Sequence, residues 1–170
     1  NDNTIIIIDT VIGPHDPNEV AVKPKGCLSP GVTNLEYTIH FENMGTDTAV
    51  NVYVLDTLPS ELNATSMNIL AASAEMYVSK YVAGGRTIMR FDFPNINLPD
   101  STHHGLNGGT FIYNIDLVAG LPYGTPINNR VGIYFDYNDV VMTNTATNII
   151  GCPITLKSIA TGPDKVTLYL

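Results

Sequence analysis

Strict alternation of apolar and polar residues, repeated in separate runs, restricts what this chain can become. "NLEYTIHFEN" sends Leu35, Tyr37, Ile39 and Phe41 to one side and Glu36, Thr38, His40 and Glu42 to the other. "TIMRFDF" alternates Met89, Phe91 and Phe93 with Arg90 and Asp92. "TFIYNIDL" and "RVGIYFD" repeat the pattern through Phe111, Tyr113, Ile115 and Leu117, and through Val131, Ile133 and Phe135. A period of two marks a half-buried strand, because successive side chains on a pleated backbone point to opposite faces. No segment carries a 3.6-residue apolar stripe. "LPSELNATSMNILAASAEM" comes nearest to helical composition and is read as a turn followed by a strand over 66–72.

Turn sequences separate the runs: "HDPN", "SPGVTN", "NMGTDT", "LPSEL", "AGG", "FPNINLPDSTHHGLNGG" and "GLPYGTP". They hold most of the 14 Gly and 11 Pro, the residues that set turn geometry. Strands are expected at 19–23, 34–42, 48–56, 66–72, 75–81, 86–93, 109–118, 127–136 and 139–149. Short strands at regular spacing predict an all-β, immunoglobulin-like antiparallel β-sandwich. The pair at 66–72 and 75–81 reads as an extra hairpin within it. The sandwich is expected over 14–152. Residues 1–13 and 153–170 are expected as flanking strands or linkers, from "TIIIIDTV" and "DKVTLYL".

Composition narrows the function classes. Only 14% of residues are charged and the net charge is -8. Binding nucleic acid requires clustered Lys or Arg to neutralise phosphates, which this chain lacks. No run reaches the ~20 apolar residues that span a bilayer. Cys27 and Cys152 are too few for a structural zinc site and show no CxxC spacing. In an exported chain they could form a disulfide closing a loop of about 125 residues, worth roughly 5 kcal/mol in the chain-entropy description.

Three blocks, "HDPNEVAVKPKG", "LEYTIHFENMGTDTAVNVYVLDTLP" and "GIYFDYNDVVMTNTATNII", together with "FDFPNINLPDS", give the chain a family likeness. It resembles the DUF11-like repeat modules of secreted Bacteroidota proteins, which often precede a C-terminal sorting domain for type IX secretion. The resemblance implies an immunoglobulin-like sandwich, export to the medium or outer cell surface, and a spacer or binding role. It implies no catalytic residues. It also makes 153–170 the approach to a sorting domain. Glu19 departs from the pattern, in which aspartate is common.

The expected topology gathers oxygen-bearing side chains. In immunoglobulin-like sandwiches the first strand commonly pairs in parallel with the last. Asp16, Asn18 and Glu19 would then approach Asp136, Asn138 and Asp139. The turns holding Glu42, Asn43 and Asp47, and Asp100, His103 and His104, fall at the same end. Calcium takes 6 to 8 oxygen ligands from loops of this kind. The same residues also suit tight turns, since Asn and Asp tolerate positive φ and bond to nearby backbone. Both readings stand on the sequence. The adjacent pair His103 and His104 has no neighbour completing a metal set by spacing, and reads as exposed loop, as does His15; His40 reads as outward-facing.

No GxSxG, HExxH, GxxxxGK or GxGxxG occurs, so no reaction is predicted. Tyr53, Tyr134 and Tyr137 could form an aromatic platform for a polysaccharide or simply pack at a sheet edge. The leading expectation is a non-catalytic secreted or cell-surface module, a spacer or docking platform for neighbouring domains of a longer chain, needing no cofactor unless calcium. The alternative is an adhesion module for carbohydrate or a surface protein.

Overall fold

A computed structural model describes residues 17–29 and 31–151 in full, and the backbone of 158–162 and 165–169. The described residues form fourteen strands: β1 (Glu19–Lys23), β2 (Gly26–Leu28), β3 (Asn34–Glu42), β4 (Val52–Thr57), β5 (Asn68–Ala72), β6 (Tyr77–Ala83), β7 (Arg86–Phe93), β8 (Gly108–Asp116), β9 (Pro126–Asn129), β10 (Val131–Phe135), β11 (Val141–Met142), β12 (Ala146–Ile150), β13 (Ser158–Gly162) and β14 (Lys165–Tyr169). Among the described residues there is no helix, and hence none long and apolar enough to cross a membrane.

Two antiparallel sheets face one another. One has the order β1-β3-β8-β5 and the other β11-β10-β4-β7-β6. The alternation seen in the sequence supplies their inner faces. Leu35, Tyr37, Ile39 and Phe41 of β3, Phe111, Tyr113 and Ile115 of β8, and Phe91 and Phe93 of β7 are fully buried. Their rings form a chain of contacts through the core, for example Phe91 to Phe111 at 4.5 Å between centroids and Phe41 to Phe93 at 5.2 Å. Such pairs add roughly 0.5–1.5 kcal/mol each beyond area burial. Gly109 belongs to the same packing: a Cβ there would lie 2.4 Å from the Phe41 ring.

A third sheet, β2-β12-β9, continues the second. Its presence corrects the expected strands at two places. The run 127–136 is divided into β9 and β10 at Arg130, and the run 139–149 into β11 and β12 at residues 143–145. The two breaks hold one another. Arg130 Nε donates to Thr143 O at 2.8 Å, and the Val131 amide donates to Thr143 Oγ1 at 3.2 Å. β2 went unrecognised in the sequence, and it makes the parallel pairing expected of the first strand. Its residues Gly26, Cys27 and Leu28 lie opposite Asn148, Ile149 and Ile150 of β12. β1 instead pairs antiparallel with β3. The strands expected as a hairpin near 66–81 both form but do not pair with each other. β5 extends one sheet beside β8 and β6 the other beside β7, and the Ser73 amide, donating to Thr110 O at 2.8 Å, fixes the crossing. The segment "TIIIIDTV" lies outside the described residues, whereas the second flanking segment forms the hairpin β13–β14.

Candidate functional site

Two polar constellations stand out, one sealed in the core and one at an end of the sandwich. The core constellation centres on Asp56. In β4, Val52, Val54 and Asp56 share parity, so the carboxylate points inward and is fully buried. Tyr113 Oη donates to Asp56 Oδ2 at 2.5 Å across the two sheets. Asn129 Nδ2, from β9, donates to the same oxygen at 3.0 Å and to Tyr113 Oη at 3.1 Å. The Tyr37 ring stacks on Tyr113 at 5.3 Å. Tyr37 Oη, Asp56 Oδ1 and Asn129 Oδ1 are buried and have no hydrogen-bond partner among the described residues. Burial raises the Asp56 carboxyl from its usual 3.8 to about 6, against the lowering effect of the Tyr113 and Asn129 bonds. Burial and the nearby Asp56 charge push both tyrosine hydroxyls well above their ordinary value. This centre was missed in the sequence, although parity along "NVYVLD" and "INNRV" places Asp56 and Asn129 among inward-facing residues.

The second constellation is the loop end. The β3–β4 loop, the β7–β8 loop, the β10–β11 turn and the start of β1 converge there, as the sequence led one to expect. Asn43 ties the first two together. Its Nδ2 donates to Asp47 O, Leu98 O and Pro99 O at 2.7, 3.1 and 3.0 Å, and its Oδ1 accepts from the Gly45 amide at 2.9 Å. Asp136 ties the β10–β11 turn to the β3–β4 loop. Its Oδ2 accepts from the Val50 amide at 2.9 Å and its Oδ1 from the Asn51 amide at 2.7 Å. Asp136 sits at φ 50, a conformation Asp tolerates better than most residues. Asn18 Oδ1 accepts from the Glu42 amide at 3.3 Å.

The expected calcium ligands are therefore distributed as follows. Asp136 meets backbone amides, and Asn18 lies beside Glu42. Glu19 stands opposite His40 in the β1–β3 pair, and Asn138 and Asp139 are exposed on the turn. Asp16 lies outside the described residues. Among those described, no three His, Cys, Asp or Glu side chains gather around a common point. His103 Nδ1 lies 3.2 Å from Asp100 Oδ1, while His104 is exposed. Bonds from Thr102 lower the Asp100 carboxyl, with a smaller contribution from His103. His40 lies on the outer side of β3, 2.8 Å from Thr110 Oγ1 and 3.0 Å from Glu42 Oε1. Cys27 is exposed on β2 opposite Ile149, and Cys152 lies outside the described residues.

The three tyrosines do not form one platform. Tyr53 and Tyr134 are register partners on the outer face of the second sheet. They stack at 4.4 Å with 7° between planes, and the Arg90 guanidinium lies 4.0 Å from the Tyr53 ring centroid. β4 lies between β10 and β7, so both faces of Tyr53 are covered. Arg90 is in turn held by Asp92 through Nε and Nη2. Tyr137 stands apart, fully exposed on the β10–β11 turn.

The family described as a domain of unknown function, DUF7619, matches residues 16–149, and the chain belongs to that family. No curated protein matches it. Among solved structures it is similar to domains D2 and D3 of the major pilin SpaD from Corynebacterium diphtheriae, with 15% identity and a TM-score of 0.52 over 76% of this chain and 51% of that one. It is similar to BcpA, the major pilin subunit of Bacillus cereus, with 14% identity and a TM-score of 0.50 over 78% of this chain and 39% of that one. The N-terminal domain of a Streptococcus gordonii adhesin, at 10% identity, gives a TM-score of 0.50 over 79% of this chain and 32% of the other. The chain thus spans about a third to a half of these proteins. At such identities the likeness establishes the fold, an immunoglobulin-like β-sandwich.

Proposed function

We propose that the chain is a non-catalytic module of a secreted or cell-surface protein, a spacer or docking platform between neighbouring domains. The observation that carries this reading is the placement of Asp56. Burial raises its carboxyl to about 6, the property expected of a general acid or base, yet it is sealed between the sheets. Polar side chains at the loop end hold backbone in place, as Asn43 and Asp136 do. The pilin and adhesin folds support the reading by analogy of architecture alone. Export through a type IX pathway, with the module at 14–152 ahead of a sorting domain, follows from the sequence resemblance and belongs to the same proposal.

The test is deletion of 14–152 from the parent chain in its host. Export should persist, while antibody and protease access to the upstream region falls. Unchanged access would sink the spacer reading. The second reading, an adhesion module for carbohydrate or protein, is favoured by one observation: Tyr137 is fully exposed beside a cleft at the loop end.

A further inference from the structure

We propose that this cleft is a binding site for a neutral saccharide. The proposal deepens the adhesion reading and rests on the chain being a surface module. The cleft lies between the β3–β4 loop and the β10–β11 turn and encloses about 400 Å³, toward the lower end of the roughly 300–1,000 Å³ common for ligand pockets. Thr46, Asp47, Thr48, Tyr137 and Asn138 line it and are exposed.

Chemistry selects the ligand class. Among the described residues no Lys or Arg lines the cleft, and Asp47 and Asp136 do, so phosphate and other anions find no counter-charge. The wall is too polar for a lipid chain. Hydroxyl, amide and carboxylate groups lining a cleft together with one aromatic residue suit a ligand with several hydroxyls and an apolar C–H face. A sugar ring has both. Asp47 Oδ1 accepts from the Thr48 amide at 2.8 Å, which orients the carboxylate and leaves its second oxygen for the ligand.

The cleft is also preorganised. Asn43 and Asp136 fix its two walls through backbone bonds, and the Asn138 amide closes the turn on Phe135 O at 3.0 Å. Tyr137 has only two side-chain torsions to immobilise, and a ligand can gain contact area at low entropic cost.

The experiment is amide chemical-shift mapping of the module with neutral glucose-, mannose-, galactose- and N-acetylglucosamine-based oligosaccharides, and co-sedimentation with the corresponding insoluble polysaccharides. Wild type is compared with Tyr137→Ala, Asp47→Ala and, as a surface control, Tyr77→Ala. Saturable shifts confined to 45–49 and 136–138 are expected, weakened about tenfold or more by Tyr137→Ala and unaltered by Tyr77→Ala. Binding in sedimentation alone would assign the site to polysaccharide surfaces; shifts with soluble oligosaccharides would assign it to free chains as well. Blank panels in both formats, shifts elsewhere, or full binding by Tyr137→Ala would overturn the proposal. So would shifts at Asp47 and Asp136 with calcium chloride and with no sugar, which would make the cleft a cation site. These outcomes are separate from the deletion test: a blank panel with altered surface presentation removes the cleft and keeps the module.

Discussion

Replacing Asp56 with Asn should convert a pH-dependent core into a pH-independent one. In the wild type the folded carboxyl titrates at about 6 and the unfolded one at 3.8. Between those values the native state retains a proton that the unfolded state has lost. Stability therefore falls as pH rises across this window, and the deficit is complete above about pH 6–7. A gap of about two pKa units corresponds to about 3 kcal/mol. Asparagine keeps the shape and is never ionised. Its Oδ1 can accept from Tyr113 Oη and Asn129 Nδ2 as Asp56 Oδ2 does, and its amide takes the place of the unpartnered Asp56 Oδ1. The two proteins should be nearly equal at pH 4, and the variant should gain up to about 3 kcal/mol by pH 7. Urea unfolding followed by circular dichroism at pH 4, 5, 6 and 7 measures the difference, in which the background of the other acidic groups cancels. A difference that stays flat with pH, or that shrinks toward pH 7, would refute the reasoning.

Asp136→Ala removes two hydrogen bonds and places alanine at φ 50; a loss of about 2–4 kcal/mol in urea unfolding is expected, and less for Asp136→Asn. If amide bonding is the whole role of Asp136, that loss is equal in chelator and in millimolar calcium; an ion using the carboxylate would instead raise the wild-type melting temperature, and the variant would abolish the rise. Gly109→Ala drives a methyl into the Phe41 ring and should cost about 1–3 kcal/mol by overpacking, read from the same unfolding curves. Arg90→Ala uncovers one face of Tyr53 and frees Asp92; the site is partly exposed, so a loss of only about 0.5–1.5 kcal/mol, diminished by high salt, is expected.

Much of this architecture could be read from the chain because it depends on local pattern. The inner residues of β3, β7 and β8 follow from period-two alternation, and the convergence of the loops follows from strands that reverse direction. The divisions within 127–136 and 139–149 could not be read this way. They depend on Arg130 and Thr143 bonding to each other's segments, and within 127–136 alternation continues across the break as if nothing occurred. β2 is three residues long, too short to show a period. At the candidate site, the loops were legible in the sequence, whereas the backbone bonds of Asp136 were not, because its amide partners lie 85 and 86 positions away. Asp56 was legible in principle: one acidic residue in phase with Val52 and Val54 is a buried charge requiring partners.

The parallel pairing of β2 with β12 decides how the domain responds when pulled. The chain enters at the loop end, where Asn18 meets Glu42, and the described sandwich leaves past Gly151, whose amide donates to Leu28 O at 2.9 Å beyond the opposite end. Tension between entry and exit therefore acts along the length of two adjacent strands in opposite senses. Their ladder is loaded in shear, with every rung strained together, whereas an antiparallel pair pulled from one end opens rung by rung. Asn148 Nδ2 adds two cross-ties at that seam, to Pro24 O and Gly26 O at 2.8 and 3.0 Å. Mechanical resistance in this module should thus concentrate in a short seam whose Leu28 and Ala146 also belong to the core.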